Sequence, residues 1–533
     1  MSDTLPPLIT ALLDPARYPH AVERVELVQT HGAWVLLAGD FAYKIKKPVR
    51  FPFMDFGTLG ARRHACETEI RVNRRFQSHD RPATQLYLGV LPIAGTPDDP
   101  RWGEAGTDGA VQPAIEFAVQ MRRFDEAARL DHLCGRGALT TEHIGGLARR
   151  MAAFQARAAV ADKAQPWGHA AAAMRWPRDN FTSLRSLLKE PEDAALVRAL
   201  SDWTEQRFIA IEPLLSRRRQ KGRVREGHGD LHLANLVLID NGEGGEVLPF
   251  DAIEFNDELR WIDVASDMAF AWMDLLDHDR PGLANGLFSE WLDASGDVSA
   301  PSVWSFFASY RAGVRAKVAA IRAGQQANAP AADQSLSEAR RYLALAERIA
   351  HPPRPQLVIT HGLSGSGKTW ASGQWLQAET SGRAIRLRSD VERKRLHGVS
   401  PLAASGSGLN EGLYRPQAHE ETYASLRARA RMLLHDGWSV IVDAAFLREA
   451  ERQAFAELAQ AEGCPFHILA CEAPPDELRR RITARQAAGT DASEATLAVL
   501  EQQFGWLEPL TEAERARVVG AVLRAVEPLT DSR

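Results

Sequence analysis

The sequence predicts two folds in series: an α+β half, with a small β-rich lobe ahead of a larger helical lobe, and an α/β half built on a three-layer parallel sheet. Three observations predict this. Residues 26–45 alternate short apolar strands with tight turns, whereas residues from Thr141 onward are rich in Ala and Leu in a mostly helical pattern. His351-Pro352-Pro353-Arg354-Pro355 cannot continue a helix and reads as an extended linker. Beyond it strands and helices alternate, the pattern of a parallel sheet covered on both faces. These signals divide the chain into 1–350 (lobes of about 1–125 and 126–350), a linker at 351–355 and a second domain at 356–533.

In the first half, Glu26–Gln29, Ala33–Ala38 and Phe41–Ile45 read as strands, with Gly39-Asp40 as the turn between the last two. Thr58–Ser78 reads as a helix that is charged on one side and apolar on the other. Pro92–Val111, rich in Pro, Gly and Asp, reads as a loop, and Val119–Arg123 as a further strand. Ala323–Asp333 reads as an exposed loop before a helix over Ser335–Ala350. The tryptophans at 261, 272, 291 and 304 sit among apolar residues and read as core. In the second half, strands are expected at Gln356–Thr360, Ala384–Leu387, Trp438–Val442 and Phe466–Cys471.

Composition narrows the function. The chain has 533 residues, of which 45% are hydrophobic and 25% charged, so it can bury several cores without disulfides. A net charge of −5 argues against a dedicated nucleic-acid coat or a polybasic membrane binder. No apolar run reaches the roughly 18 residues of a membrane span. Met1–Pro7 lacks the charged and apolar regions of a signal peptide. Cys66, Cys134, Cys464 and Cys471 form no CxxC pair and no zinc spacing, which fits reduced thiols in a cytoplasmic protein.

The strongest local motif is Gly362-Leu363-Ser364-Gly365-Ser366-Gly367-Lys368-Thr369, a full GxxxxGK[ST] between a strand and a helix expected at Trp370–Ala378. Glycines let the loop wrap so that its N–H groups face phosphate oxygens. Lys368 can bridge the β/γ-phosphates, and the Thr369 hydroxyl can reach Mg²⁺. Ser364 and Ser366 lie within the wrapped segment. Ser389-Asp390 follows a strand; Asp390 can take a proton from an attacking hydroxyl, and Arg393 can hold an anionic substrate. A helix-capping Asp beside a solvated basic turn is the equally weighted alternative. Asp443 ends a strand and suits a water-mediated Mg²⁺ contact. Arg479, Arg480, Arg481 and Arg485 fall on a predicted helix before a flexible Ala487–Asp491. Arginines there can stabilise phosphoryl charge, with Arg481 and Arg485 assigned to ATP; a solvated basic helix face is the alternative for any one of them. This half resembles small P-loop kinases related to polynucleotide, gluconate and shikimate kinases and to zeta-type toxins. Its 21 Lys and Arg against 23 Asp and Glu disfavour a polynucleotide track without excluding one.

The second motif is Gly227-His228-Gly229-Asp230-Leu231-His232-Leu233-Ala234-Asn235, which places Asp five residues before Asn as in HRDxxxxN. Val247–Asp251 is an apolar run ending in Asp, and Asp240-Asn241-Gly242 is a turn that would bring Asn235 and Asp251 together. HGDLHLAN followed by FDAIEF resembles the aminoglycoside phosphotransferase and choline kinase group, relatives of protein kinases. The resemblance implies a bilobal protein-kinase-like fold, Asp230 as base, His228 as an orienting residue, and Asn235 and Asp251 as Mg²⁺ ligands. It also implies an ATP-binding lysine, assigned to Lys44, with a helix glutamate, Glu69 or Glu67, of which Glu69 is chosen. Lys46–Arg50 reads as a solvated basic edge and His232 as a satisfied turn histidine. Glu254 is a candidate metal or substrate contact, Asp263 and Asp267 candidate partners of the loop, and Asp257 and Glu258 solvent-facing.

Together the motifs resemble a bacterial tandem of two phosphotransferase modules, a kinase (phosphotransferase with an alcohol group as acceptor) using ATP and Mg²⁺ on a small hydroxyl acceptor. The alternatives are one live kinase with a regulatory ATPase or pseudokinase module, and a polynucleotide 5′-hydroxyl kinase or toxin-like enzyme. No membrane partner is expected, and the sequence leaves the acceptor and the oligomeric state open.

Overall fold

The computed structural model describes residues 5–51, 53–77, 84–103, 113–162, 164–240, 242, 244–326, 328–399, 415–488 and 495–519. Packing divides the chain into two compact units, Met1–Ser186 with Thr204–Asp274, and Leu187–Trp203 with Leu275–Arg533. The proline-rich 351–355 therefore lies within the second unit, and the helices Pro281–Ser295, Pro301–Gln325 and Ala329–Ala350 belong with the P-loop sheet.

The first unit begins with a six-stranded antiparallel sheet. Its order is Val25–Gln29, Ala33–Ala38, Phe41–Lys46, Glu116–Arg122, Tyr87–Thr96, Asp99–Trp102. Gly39 makes the expected turn with φ of +57°. The expected loop at Pro92–Val111 is corrected as far as residue 103, where two paired strands stand; residues 104–111 lie outside the described residues. Pro92 fits a strand because only its carbonyl is called on, accepting from Gly103 N at 2.8 Å. The helix Leu59–Arg74 starts where the Thr58 hydroxyl caps Ala61 N. Its buried residues include Arg62, Ala65, Cys66, Glu69, Ile70 and Asn73, a stripe at three- and four-residue spacing. The helices Thr141–Arg157 and Ala170–Leu187 follow, and of the helix Pro191–Gln220 the residues from Thr204 on belong to this unit.

The second unit holds a four-stranded parallel sheet in the order Ala384–Arg388, Ser439–Asp443, Leu357–His361, Phe466–Ala470. The helices Lys368–Ala378, Pro416–His435 and Glu449–Ala461 pack on it. The expected loop at Ala323–Asp333 is instead a short break between two helices ending at Gln325 and starting at Ala329, where Pro330 suits a helix N-terminus. Trp272, Trp291 and Trp304 are fully buried, while Trp261 is half-buried. All four cysteines are buried and none is in a disulfide. Among the described residues no helix is long and apolar enough to cross a membrane.

Candidate functional site

In the first unit, strand alternation puts Lys44 and Lys46 on one face of the sheet, toward Glu69 on the helix Leu59–Arg74. Lys44 Nζ donates to Glu69 Oε1 at 2.8 Å and to Asp251 Oδ1 at 2.5 Å. Burial works against the Lys44 charge, but Asp251 and Glu69 outweigh it and hold its pKa well above the usual lysine range. Burial likewise opposes the Asp251 charge, yet Lys44 keeps that carboxylate below its ordinary value. Glu67 pairs instead with Arg63 on the surface.

The loop 227–235 follows the strand Val224–Glu226 and leads into the hairpin Leu236–Ile239 with Glu246–Pro249. That hairpin returns Phe250 N to Asn235 O at 3.0 Å, so Asn235 and Asp251 do converge. Asn241 of its expected turn lies outside the described residues. Asn235 Nδ2 donates to Asp230 O at 3.0 Å and to Asp230 Oδ2 at 3.1 Å. His228 is fully buried; burial lowers its pKa and keeps it neutral, despite opposing influence from Asp267 and Asp230. One ring nitrogen, Nε2, then donates to Phe250 O at 2.9 Å, and the other, Nδ1, accepts from Asp230 N at 3.2 Å. His228 therefore orients the loop from beneath.

Several expectations need correction. Lys46 is not solvated: it is 1% exposed and pairs with Glu69 and Glu254. Glu254 is accordingly held in an ion pair within the protein. His232 is not a satisfied turn residue, because its Nδ1 is buried with no hydrogen-bond partner among the described residues, while Nε2 lies 3.4 Å from Asp230 Oδ2. Asp267 meets the loop as expected, but Asp263 pairs with Arg218 at 2.7 Å. Glu258 is half-buried against Arg175.

Three contributors escaped sequence reasoning. The Tyr87 hydroxyl accepts Asp251 N at 2.9 Å, Asn73 Oδ1 accepts Ala252 N at 2.9 Å, and Asp274 Oδ2 accepts Leu233 N at 2.8 Å. The signal for Asp274 was available: Asp267 and Asp274 are seven apart on the mostly apolar helix Val264–Asp277.

In the second unit, Gly362, Gly365 and Gly367 adopt φ of +149°, +83° and +92°, which wraps the loop ahead of the helix Lys368–Ala378. Lys368 Nζ donates to Leu363 O at 2.8 Å; burial lowers its pKa, against the pull of Asp443. Ser372 bridges Thr369 O and Asp443 Oδ2 at 3.0 and 3.1 Å. Ser364, Gly365, Gly367, Lys368, Thr369, Asp390, Arg393, Asp443, Arg481 and Arg485 all line one cavity of about 370 Å³. Gly362 and Ser366 lie in the wrapped loop, Ser366 buried. Asp390 is not a cap: Arg388 holds that place, and Asp390 receives Arg393 at 2.8 Å in the first helical turn. Arg479 and Arg480 point to solvent in ion pairs with Glu501 and Glu477. The flexible segment expected at 487–491 falls outside the described residues from 489 on. Sequence reasoning missed His419, which pairs with Glu451 at 2.7 Å in the cavity wall, and Arg448, stacked 5.2 Å from the Trp506 ring.

For Mg²⁺ the donors fit: the carboxylate of Asp251 and the amide oxygen of Asn235 in the first site, the hydroxyl of Thr369 and Asp443 in the second. These are hard oxygen ligands of the kind that ion shares with phosphates. Among the described residues no group of three or more His, Cys, Asp or Glu could hold a metal. A Mg²⁺ bound through one or two carboxylates and a phosphate tail needs no such group.

Fold and geometry define the class: one chain carries an α+β unit in which Lys44, Glu69 and Asp251 meet, and a parallel-sheet unit with a P-loop. A family model described as an AAA domain matches residues 357–510. The chain is 31% identical over 484 residues to an uncharacterised protein of Mycobacterium tuberculosis, covering 90% of this chain and 91% of that one, and it belongs to the same family. It is similar to the choline kinase of Cryptosporidium parvum at 11% identity, covering 64% of this chain and 97% of that one with a TM-score of 0.37. A putative aminoglycoside phosphotransferase from Ralstonia eutropha aligns at 12% identity over 64% of this chain and 98% of that one, with a TM-score of 0.32.

Proposed function

We propose that the chain is an ATP-dependent phosphotransferase with two ATP–Mg²⁺ sites, each passing the γ-phosphoryl group to a hydroxyl of a small polar acceptor. The observation that carries this reading is Lys44 bridging Glu69 and Asp251, residues from three separated segments that meet at one ammonium group. Lys44 would hold the α/β-phosphates and Asp230 would take the proton of the acceptor hydroxyl. In the second cavity Lys368 grips the β/γ-phosphates, Arg481 and Arg485 neutralise charge on the transferred group, and Asp390 is the base. Mg²⁺, when bound, supplies charge neutralisation of the phosphate tail. Each site then works by positioning and electrostatics. Four cysteines outside disulfides are consistent with a cytoplasmic enzyme.

The experiment is separate substitution of Asp230→Ala and Lys368→Ala, followed by ATP turnover against sugars, aminoglycosides, nucleosides and oligonucleotides. Independent sites predict that each variant keeps the other's activity. Abolition of all turnover by either change alone would sink the two-site reading. Salt-sensitive binding of single-stranded RNA or DNA would replace the small acceptor with a polynucleotide.

A further inference from the structure

The first site contains more buried charge than a lysine–glutamate–aspartate set requires. Glu69 is fully buried and takes a different lysine on each oxygen, Lys44 on Oε1 and Lys46 on Oε2. Lys46 also reaches Glu254, three residues beyond Asp251 in the same loop, and its ammonium lies 5.4 Å from the Phe56 ring. With Glu69, Glu254 and Phe56 around it, Lys46 at 1% exposure is closed to any ligand. Lys44 differs: its other partner, the Asp251 side chain, is 45% exposed and stands at the open side of the site.

This asymmetry matters when a nucleotide arrives. Turning Lys44 toward phosphates would strip a buried carboxylate of its only cation if Lys44 were alone, and an uncompensated buried charge is strongly disfavoured. Here Lys46 stays. It also ties Glu69 on the helix Leu59–Arg74 to Glu254, and so fixes the backbone that carries Asp251. We infer that Lys46 and Glu254 are positioning residues, a pair that holds the Asp251 loop against that helix and keeps Glu69 neutralised while Lys44 moves to the nucleotide. The inference rests on the nucleotide site proposed above.

The test uses the full chain carrying Lys368→Ala, so that only the first site reports. A non-hydrolysable ATP analogue is titrated calorimetrically with and without Mg²⁺, and folding is followed by thermal unfolding. In this parent Mg²⁺ should tighten binding. Glu254→Gln and Lys46→Met should each cut that tightening by about tenfold or more, as removal of groups that orient metal ligands does. The double variant should lose no more than either single one, and Lys46→Arg should recover part of the loss. A merely structural role would lower the melting temperature without erasing the Mg²⁺ effect selectively. Retained Mg²⁺ tightening in a folded Glu254→Gln chain, or additive losses in the double variant, overturns the inference. Should Lys46→Met fail to fold, the near-isosteric Glu254→Gln decides alone. A parent that binds no analogue at all overturns the nucleotide-site reading itself, an outcome separate from the others.

Discussion

Asp267 receives the backbone N–H of Gly229 at 2.8 Å, and its second oxygen takes the N–H of His228 at 2.7 Å. One buried carboxylate thus fixes the turn immediately before Asp230. The turn tolerates little else: Gly229 has φ of +89°, and a Cβ there would lie 2.7 Å from Leu259 O. Asp267→Ala removes two buried hydrogen bonds, at about 1–3 kcal/mol each. The expected outcome is a folded but less stable chain in which turnover at the first site falls by about 100-fold, since a small displacement of a base is that costly. Thermal unfolding and acceptor-dependent ATP turnover in a Lys368→Ala background check it; unchanged turnover would free Asp230 from dependence on this carboxylate.

Glu226, the residue before that loop, receives Arg260 at 3.0 Å and Arg71 and Arg75 at 2.8 Å each. Burial raises its pKa, but the three guanidinium groups win and bring it down to about 2. A carboxyl whose folded pKa is depressed adds stability above its unfolded value that disappears as pH falls through the folded one. The window is therefore about pH 4.5 down to 2, and the contribution is on the order of 3 kcal/mol. Glu226→Gln should cost stability at pH 6 and little near pH 2. Urea unfolding at the two pH values measures the difference, and an equal loss at both would contradict the assignment.

Gly365→Ala should abolish nucleotide binding in the P-loop cavity. Its φ of +83° costs a side chain about 1–2 kcal/mol, and the added Cβ would sit 2.8 Å from Leu478 O. Gly398 separates the two effects, because it has φ of +70° with nothing within 4 Å of its Cβ position. Gly398→Ala should show the strain in unfolding experiments and leave nucleotide titration unaltered. Equal binding losses in the two variants would mean that general destabilisation, and not the loop's shape, is being read.

Local signals account for what the sequence disclosed. The hairpins of 25–46, the helix capped by Thr58 and the P-loop follow from turn chemistry, capping and period, all of which act over a few residues. Lys44 and Glu69 were legible only through the resemblance, because strand alternation by itself leaves Lys44 and Lys46 on one face and does not separate Glu69 from Glu67. The strands around Pro92 and Pro100 were hidden, since proline and glycine there suit a sheet only once a neighbour's hydrogen bonds are known. Lys46 was misread for the same reason: its burial depends on Glu254, 208 residues away. Asn73 and Tyr87 act by accepting backbone N–H groups from distant segments, and no spacing rule announces such contacts.

Asp390 and Arg393 lie 2.8 Å apart on one turn of helix in the cavity wall. A carboxylate engaged by an arginine is a poor base, so an acceptor that draws Arg393 onto its own negative charge would release Asp390 at the moment of reaction. Two different kinetic signatures follow. Asp390→Asn should lower kcat by about 10²–10⁴-fold, the usual contribution of a positioned base, with KM for ATP unmoved. Arg393→Ala should raise KM for the acceptor and affect kcat less, because it removes binding common to ground and transition states. Steady-state kinetics in an Asp230→Ala background, with the acceptor of highest turnover, tests both. If Arg393→Ala instead lowers kcat as far as Asp390→Asn while acceptor KM holds, the arginine serves the transferred phosphoryl group and the acceptor need carry no negative charge.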